Sequence, residues 1–369
     1  MIDSTSVVRT DLDLIREDLA PVFTRLAGNR LLITGGAGFL GYYLVQAVTD
    51  WNRDRPATDR VNLTVCDNFK RGAPAWLGAI ERDGSARMIV ADVSQPLPPE
   101  LGLFDFVIHA AGIASPMVYR RFPLETMDAN INGLRQLLDA ARAQADQGRP
   151  VQGFLFYSSS EIYGDPLPEA IPTPEDYRGN VSCTGPRACY DESKRYGETL
   201  SVVFARTYGV PVTIARPFNN YGPGLRIDDG RVIPDFARCI LDGKDIVMHS
   251  DGSPTRTFCY SADAICGYYR VLVLGRPGEA YNVGVESPEI SMRDLADALI
   301  AEGRSLFGYS GRLVTAPSAE KDYLVDNPQR RCPVITKART EIGYDPKVPL
   351  IEGLRRSLRW YAEQREGVG

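Results

Sequence analysis

Leu31-Leu32-Ile33-Thr34-Gly35-Gly36-Ala37-Gly38-Phe39-Leu40-Gly41 decides how this chain is read. A short apolar run ends in a glycine-rich turn, and the turn opens into a helix-spaced stretch through Leu44, Val45 and Val48. Strand, turn and helix in that order are the setting in which a glycine pattern acquires a physical role. Gly35 permits the tight turn and Gly38 lets backbone amides approach a pyrophosphate. Gly41 lets the helix pack close, so Phe39 and Leu40 begin a helix whose N-terminus faces phosphates. A plain glycine-rich turn is the alternative.

Outward from that turn the texture alternates. Apolar runs recur at 63–66, 86–90, 104–109, 154–157 and 212–215, several of them separated by helical stretches. This predicts an α/β fold, a Rossmann-type doubly wound parallel sheet whose ligands lie beyond the carboxyl ends of the strands. After Phe218 the chain turns to Gly, Pro and Asn loops, which suits a smaller C-terminal substrate-binding lobe. We divide it as 1–29, an N-terminal helical extension; 30–218, the dinucleotide domain, with later segments returning to it; and 219–369, mainly the lobe. Within 1–29, Leu12, Leu14, Ile15, Leu19, Val22, Phe23 and Leu26 recur at helical spacing, predicting one or two helices packed on the body.

Composition bounds the function. The chain has 369 residues, 44% hydrophobic and 24% charged, and a net charge of −5 offers no basic field for nucleic acid. Phosphates must therefore be held locally. Seven scattered cysteines without a CxxC pair suggest neither a disulfide framework nor a metal site, and they read as thiols of a reducing compartment. No apolar run reaches bilayer length, and Asp3, Asp11, Asp13, Glu17 and Asp18 stand where a signal peptide needs an apolar core, so we expect a cytoplasmic protein with no membrane partner.

Two sets of residues carry chemistry. Asp67 ends the second strand, where a carboxylate accepts hydrogen bonds from a ribose and repels a 2′-phosphate, which favours NAD over NADP despite Lys70 and Arg71. Asn68 follows it. Asp92 with Val93 is placed to reach the adenine, and Ala110-Ala111-Gly112 offers small residues where a cofactor passes; caps or turns explain these equally well. The second set is Ser158-Ser159-Ser160-Glu161 after the strand at 154–157, joined by Tyr190 and Lys194, four apart and so on one helix face. An ammonium and a nearby cofactor cation lower the phenol's pKa, the phenolate takes a hydroxyl proton, and Ser159 orients the substrate oxygen. A solvated helix face is the bland reading of Tyr190 and Lys194.

With 34–41, 159–164, 190–194 and 216–223 in order, the chain from about Arg30 to Tyr361 resembles extended short-chain dehydrogenases, the nucleotide-sugar epimerases, dehydratases and decarboxylases. Within that group it looks most like UDP-glucuronate decarboxylases, the UDP-xylose synthases. The stretches that carry this are 160–166, 175–181, Gly185-Pro186-Arg187-Ala188-Cys189-Tyr190-Asp191-Glu192, Asp229-Gly230-Arg231-Val232 and Pro328-Gln329-Arg330-Arg331. The resemblance implies NAD as cofactor, oxidation at C4 of the sugar, loss of CO2 from C5 and re-reduction at C4. It also implies a homodimer built on the helix that carries Tyr190.

Carried over residue by residue, Tyr190 is the base with Lys194 supporting it, and both also touch the cofactor. Ser159, Ser160 and Glu161 contact the sugar, and Arg256 serves the reacting end or the phosphates. Asn219, Arg231 with Val232, and one of Arg330 and Arg331, for which we take Arg331, hold the nucleotide diphosphate of a UDP-sugar. The 4,6-dehydratases carry an Asp-Glu pair where this chain has Ser160-Glu161, and simple 4-epimerases usually lack a carboxylate there. Departures remain: Glu125 stands for a usual lysine, Arg178 for a tryptophan, the segment 318–327 looks rearranged, and 1–29 has no counterpart. Epimerisation, dehydration or C4 oxidation of another nucleotide-sugar, and a silent NAD-binding scaffold, are the competing readings.

Overall fold

Leu31 and Ile33 point into one core and Leu32 into the other, which is what a strand buried on both faces requires. The same alternation holds for Phe106 and Ile108 against Val107, and for Leu155 and Tyr157 against Phe154 and Phe156. In the computed structural model, which describes residues 6–317, 325 and 327–366, these runs form one parallel sheet. Its strands are β1 (Arg30–Thr34), β2 (Asn62–Asp67), β3 (Arg87–Val90), β4 (Phe106–His109), β5 (Gly153–Tyr157), β6 (Val212–Pro217) and β7 (Ala280–Val283). The seven among the described residues run in the order β7-β6-β5-β4-β1-β2-β3. The order reverses between β1 and β4, which places a crevice beside the turn after β1.

The helices in chain order are α1 (Ser6–Leu26), α2 (Phe39–Asn52), α3 (Ala75–Arg82), α4 (Pro116–Arg121), α5 (Pro123–Asp146), α6 (Ala188–Tyr208), α7 (Val232–Leu241), α8 (Ser261–Leu274), α9 (Met292–Phe307), α10 (Thr336–Ile342) and α11 (Leu350–Glu366). Leu44, Val45 and Val48 of α2 and Ile265 and Val271 of α8 fill one core, while Leu134, Leu137 and Leu138 of α5 and Leu200 and Phe204 of α6 fill the other. The sheet is thus covered on both faces. After Phe218 the chain leaves and returns: α8 packs on the sheet and β7 pairs with β6, Ala280 opposite Ile214. β7 is the strand the sequence reading did not pick out, because Ala280-Tyr281-Asn282-Val283 is short and carries a polar residue.

The N-terminal extension is a single helix. Val8, Leu12, Ile15, Leu19, Val22, Phe23 and Leu26 are buried against α2, α8 and α11, and each such side chain contributes about 1.5–3 kcal/mol. Leu14 is only partly buried. Asp11, fully buried on this face, accepts hydrogen bonds from Tyr43 of α2 at 2.5 Å, from Tyr260 just before α8 at 2.6 Å and from Arg356 of α11 at 2.7 Å. One carboxylate therefore ties α1 to three elements far apart in sequence.

Candidate active site

The turn after β1 is built to let something close to it. Gly35 has φ +74°, and a Cβ there would sit 2.6 Å from the Ala111 backbone at the end of β4; a Cβ on Gly41 would overlap the Gly36 carbonyl. A Cβ on Gly38 would meet only the Gly35 carbonyl, at 3.2 Å, and Gly38 begins α2 with no side chain capping it. The first amides of α2, from Phe39 and Leu40, are thus left to an anion. Asp67 at the end of β2 accepts from the Ala37 amide at 3.0 Å and from the Phe69 amide at 2.9 Å. That anchors the carboxylate beside the turn with lone pairs to spare for a ribose. These residues fit a dinucleotide.

Asp92 accepts from Lys70 at 2.8 Å and Asn68 at 3.2 Å, and burial, which alone would raise its pKa, is outweighed by the Lys70 and Ser94 bonds, so it stays below the usual carboxylate range. Val93 differs from expectation: its side chain is in the core against Gly133 of α5 and its carbonyl is taken by Gln136, so it can offer a cofactor only its amide. Ala110 bonds back to β1, and a Cβ on Gly112 would meet Asn130 Oδ1 at 2.6 Å. That oxygen is buried without a protein partner among the described residues, a polar atom aimed at the small-residue corner.

The chemical residues gather at the end of β5. The Ser159 hydroxyl accepts from the Glu161 amide at 3.2 Å, starting a short helical turn over 160–163 in which Ser160 is buried. Burial pushes the Tyr190 phenol up to about 12, partly offset by hydrogen bonding with Ser159. Lys194 lies 5.7 Å from the Tyr190 ring centroid and donates instead to the Tyr157 carbonyl at 2.8 Å; burial pushes it down to about 7. The expected lowering of the phenol by the ammonium is therefore not set up by the protein alone: desolvation wins at both groups.

Glu161 is gripped by two arginines. Arg331 reaches its Oε1 at 2.7 Å and Oε2 at 2.5 Å, and Arg187, one turn before Tyr190, pairs with Oε2. Burial alone would raise this carboxyl, but Arg187 and Arg331 outweigh it and hold it below the usual range. Asp191 sits 3.7 Å from Arg187 Nε, and burial followed by the charge of Glu161 pushes it up. Arg330 turns away to Glu289, whereas Arg331 spends both prongs on Glu161 beside Ser159. Arg256 is buried, donates to the carbonyls of Thr255, Gln329 and Pro328, and is pushed down to about 9 by burial and by Arg331. It still carries its charge at neutral pH.

The remaining substrate candidates are more dispersed. Asn219, with φ 43°, spends its amide on the Thr257 carbonyl at 2.8 Å. Arg231 precedes Val232, the first residue of α7, pairs with Asp229 at 3.0 Å and lies 5.8 Å from the Phe39 ring. Glu125 is exposed in the first turn of α5, where a helix N-terminus favours a carboxylate. Most of the segment 318–327 lies outside the described residues; Asn327 approaches Arg256 at 3.4 Å.

Sequence reasoning missed four contributors. Arg187 and Asp191 carried a signal, since they lie three before and one after Tyr190, but nothing in the spacing says that they face Glu161. Tyr119 of α4 stacks on Tyr190, ring centroids 5.2 Å apart and 10° from parallel. Glu198 of α6 forms a two-pronged pair with Arg216 and accepts from Ser158, bracing the strand end from behind. Among the described residues no group of three His, Cys, Asp or Glu could hold a metal ion, and no helix is long and apolar enough to cross a membrane.

The profile of the NAD dependent epimerase/dehydratase family matches residues 31–284. UDP-glucuronic acid decarboxylase 5 of Arabidopsis thaliana is 36% identical over 329 residues, 88% of this chain and 87% of that protein. UDP-glucuronic acid decarboxylase 1 of Xenopus tropicalis is 34% identical over 344 residues, 91% of this chain and 73% of the relative. The crystal structure of a dTDP-glucose 4,6-dehydratase from Streptomyces venezuelae, solved with NAD bound, superposes with a TM-score of 0.76 at 28% identity, covering 92% of this chain and 98% of the other.

Proposed function

The chain belongs to the NAD-dependent epimerase/dehydratase family, and on that premise we propose that it decarboxylates UDP-glucuronate, oxidising C4, releasing CO2 from C5 and re-reducing C4. The observation that carries this is Glu161 between Arg331 and Arg187, beside Tyr190 and Ser159. The glycine-rich turn, Asp67 and Lys194 would hold NAD, which when bound would supply a two-electron acceptor and a positive charge.

Ionised under that added positive charge, the Tyr190 phenolate takes the C4 hydroxyl proton while the C4 hydride leaves to the two-electron acceptor, and Ser159 holds the oxygen. Once C4 is a ketone, the C5 carboxylate lies β to it, so the electrons of the breaking C–C bond flow into the carbonyl. The enolate oxygen is then stabilised by the donors that oriented the hydroxyl, and C5 takes a proton from solvent to restore the ketone, to which the hydride returns at C4 as the phenol gives back its proton. Arg331, Arg187 and Arg256 place positive charge around the reacting end, which attracts the substrate carboxylate, and the ionised Glu161 fixes the orientation of Arg331 and Arg187. Arg231, Val232 and Asn219 hold the nucleotide diphosphate. In this reading residues 219–260 and 284–317 make up most of the substrate lobe.

Exposed Leu124 and Met127 of α5 and Tyr196 and Val203 of α6 support a homodimer through these helices, which light scattering across a dilution series checks. Seven unpaired thiols support a reducing, cytoplasmic setting.

The test is incubation with UDP-glucuronate, with and without added NAD, reading products by NMR and mass spectrometry. A UDP-pentose with CO2, abolished by Tyr190→Phe, is expected. An epimer without carbon loss, or unchanged substrate in a protein that binds NAD, overturns the decarboxylase reading.

A further inference from the structure

The loop after Asp67 carries two cations, and they behave differently. Lys70 pairs on its own side of the cleft, with Asp92. Arg71 crosses: its Nη2 meets Asp229 Oδ2 at 3.3 Å, and its carbonyl accepts from Arg226 at 3.2 Å. Both partners belong to the segment 222–231, the arm that leads into α7 and carries Arg231.

That arm lies close over the cofactor side. A Cβ on Gly224 would meet the Phe39 carbonyl at 2.8 Å and would press on Tyr42; a Cβ on Gly230 would overlap Met117 of α4. Ser115 donates to the Asp229 carbonyl at 3.0 Å. The Asp229 carboxylate is 3% exposed and shared between Arg231 and Arg71, whereas Arg71 is 55% exposed. The arm therefore runs past both the glycine-rich turn and the ribose loop, and Arg71 is its tie to the latter.

We propose that Arg71, acting through Asp229, is a latch that retains the dinucleotide: the loop 67–72 and the arm 222–231 are tied across the cleft, and NAD(H) leaves only when the tie opens. This rests on the dinucleotide reading of the cleft, not on which sugar is converted. It matters because C4 must be reduced by the same equivalents that its oxidation yielded, and a cofactor lost between the two steps strands a ketone. Arg71 is a positioning residue, touching neither sugar nor reacting atoms.

The experiment is the release rate of NADH from the purified protein, displaced by excess NAD and followed by fluorescence in stopped flow. Arg71→Ala should release NADH about five-fold faster, the scale of one ion pair at a partly exposed site, and Arg71→Lys should stay within about two-fold of the parent. The gap between the parent and Arg71→Ala rates should close as salt is raised, because the parent alone loses the Arg71–Asp229 tie, a signature that a merely structural role of the loop would not give. Equal rates in parent and Arg71→Ala, or a gap indifferent to salt, overturn the latch. A protein that binds no NADH overturns the cofactor reading as well, so the two failures are distinguishable. Arg71 is in an exposed loop, and a matching circular-dichroism melt establishes that the variant is folded.

Discussion

Arg331 and Glu161 are 170 residues apart in the chain and share two hydrogen bonds, Nη1 to Oε1 at 2.7 Å and Nη2 to Oε2 at 2.5 Å. Two-pronged geometry of this kind fixes orientation as well as charge. Glu161→Gln and Arg331→Met should each lower kcat by at least about a hundred-fold, as expected for charged groups preorganised at a reacting centre, with NAD affinity within about two-fold of the parent. Product assays beside NAD titration check this split; a parallel loss of both would mean that the pair holds up the fold of the site.

Tyr119 covers Tyr190 with its ring and finds no partner for its hydroxyl among the described residues. Removing the ring leaves a hole under the phenol. Tyr119→Ala should cost about 3 kcal/mol in urea unfolding, whereas Tyr119→Phe should change stability by less than about 1 kcal/mol.

Gly35 and Gly72 both have positive φ, +74° and +87°, yet only Gly35 has a neighbour, the Ala111 backbone. Gly35→Ala should abolish NAD binding in a titration calorimeter. Gly72→Ala, in open space, should cost only the left-handed backbone strain of about 1–2 kcal/mol and leave binding intact.

Burial pushes the Asp263 carboxyl up from 3.8 to about 6, against the Lys347 and Val348 amides that it accepts. The folded chain holds this proton more tightly than the unfolded one. The stability that this contributes is fully present below pH 3.8 and is lost as pH rises through about 6. Asp263→Asn removes the dependence, so its Tm measured relative to the parent should climb between pH 4 and 7; a flat difference would contradict the shift.

Most of the sheet was readable because its strands are short apolar runs, as at Leu31, Leu32 and Ile33, with glycines or acids marking the ends of several of them. Tyr190, Lys194, Ser159 and Asp67 were readable because each is tied to a local pattern of spacing. What escaped is non-local. Arg187 and Asp191 acquire meaning only when α6 is laid beside the end of β5, and Tyr119 only when α4 is folded over it. Val93 lies three residues beyond β3 with its side chain in the core and its carbonyl on Gln136, so a cofactor reaches only its backbone amide, which a side-chain pattern does not record. The direction of the Lys194 ammonium depends on desolvation, which a sequence pattern does not record.

Asp11 gives the first helix a consequence for anyone who trims the chain. A shortened protein beginning at Arg30 looks reasonable, since the first strand starts there. It would leave the Tyr43 and Tyr260 hydroxyls and the Arg356 guanidinium without the acceptor they share, and it would uncover the apolar surfaces of α2 and α8 that α1 seals. Such a product invites precipitation and chaperone capture in the expression host, and an inactive preparation of it would say nothing about catalysis.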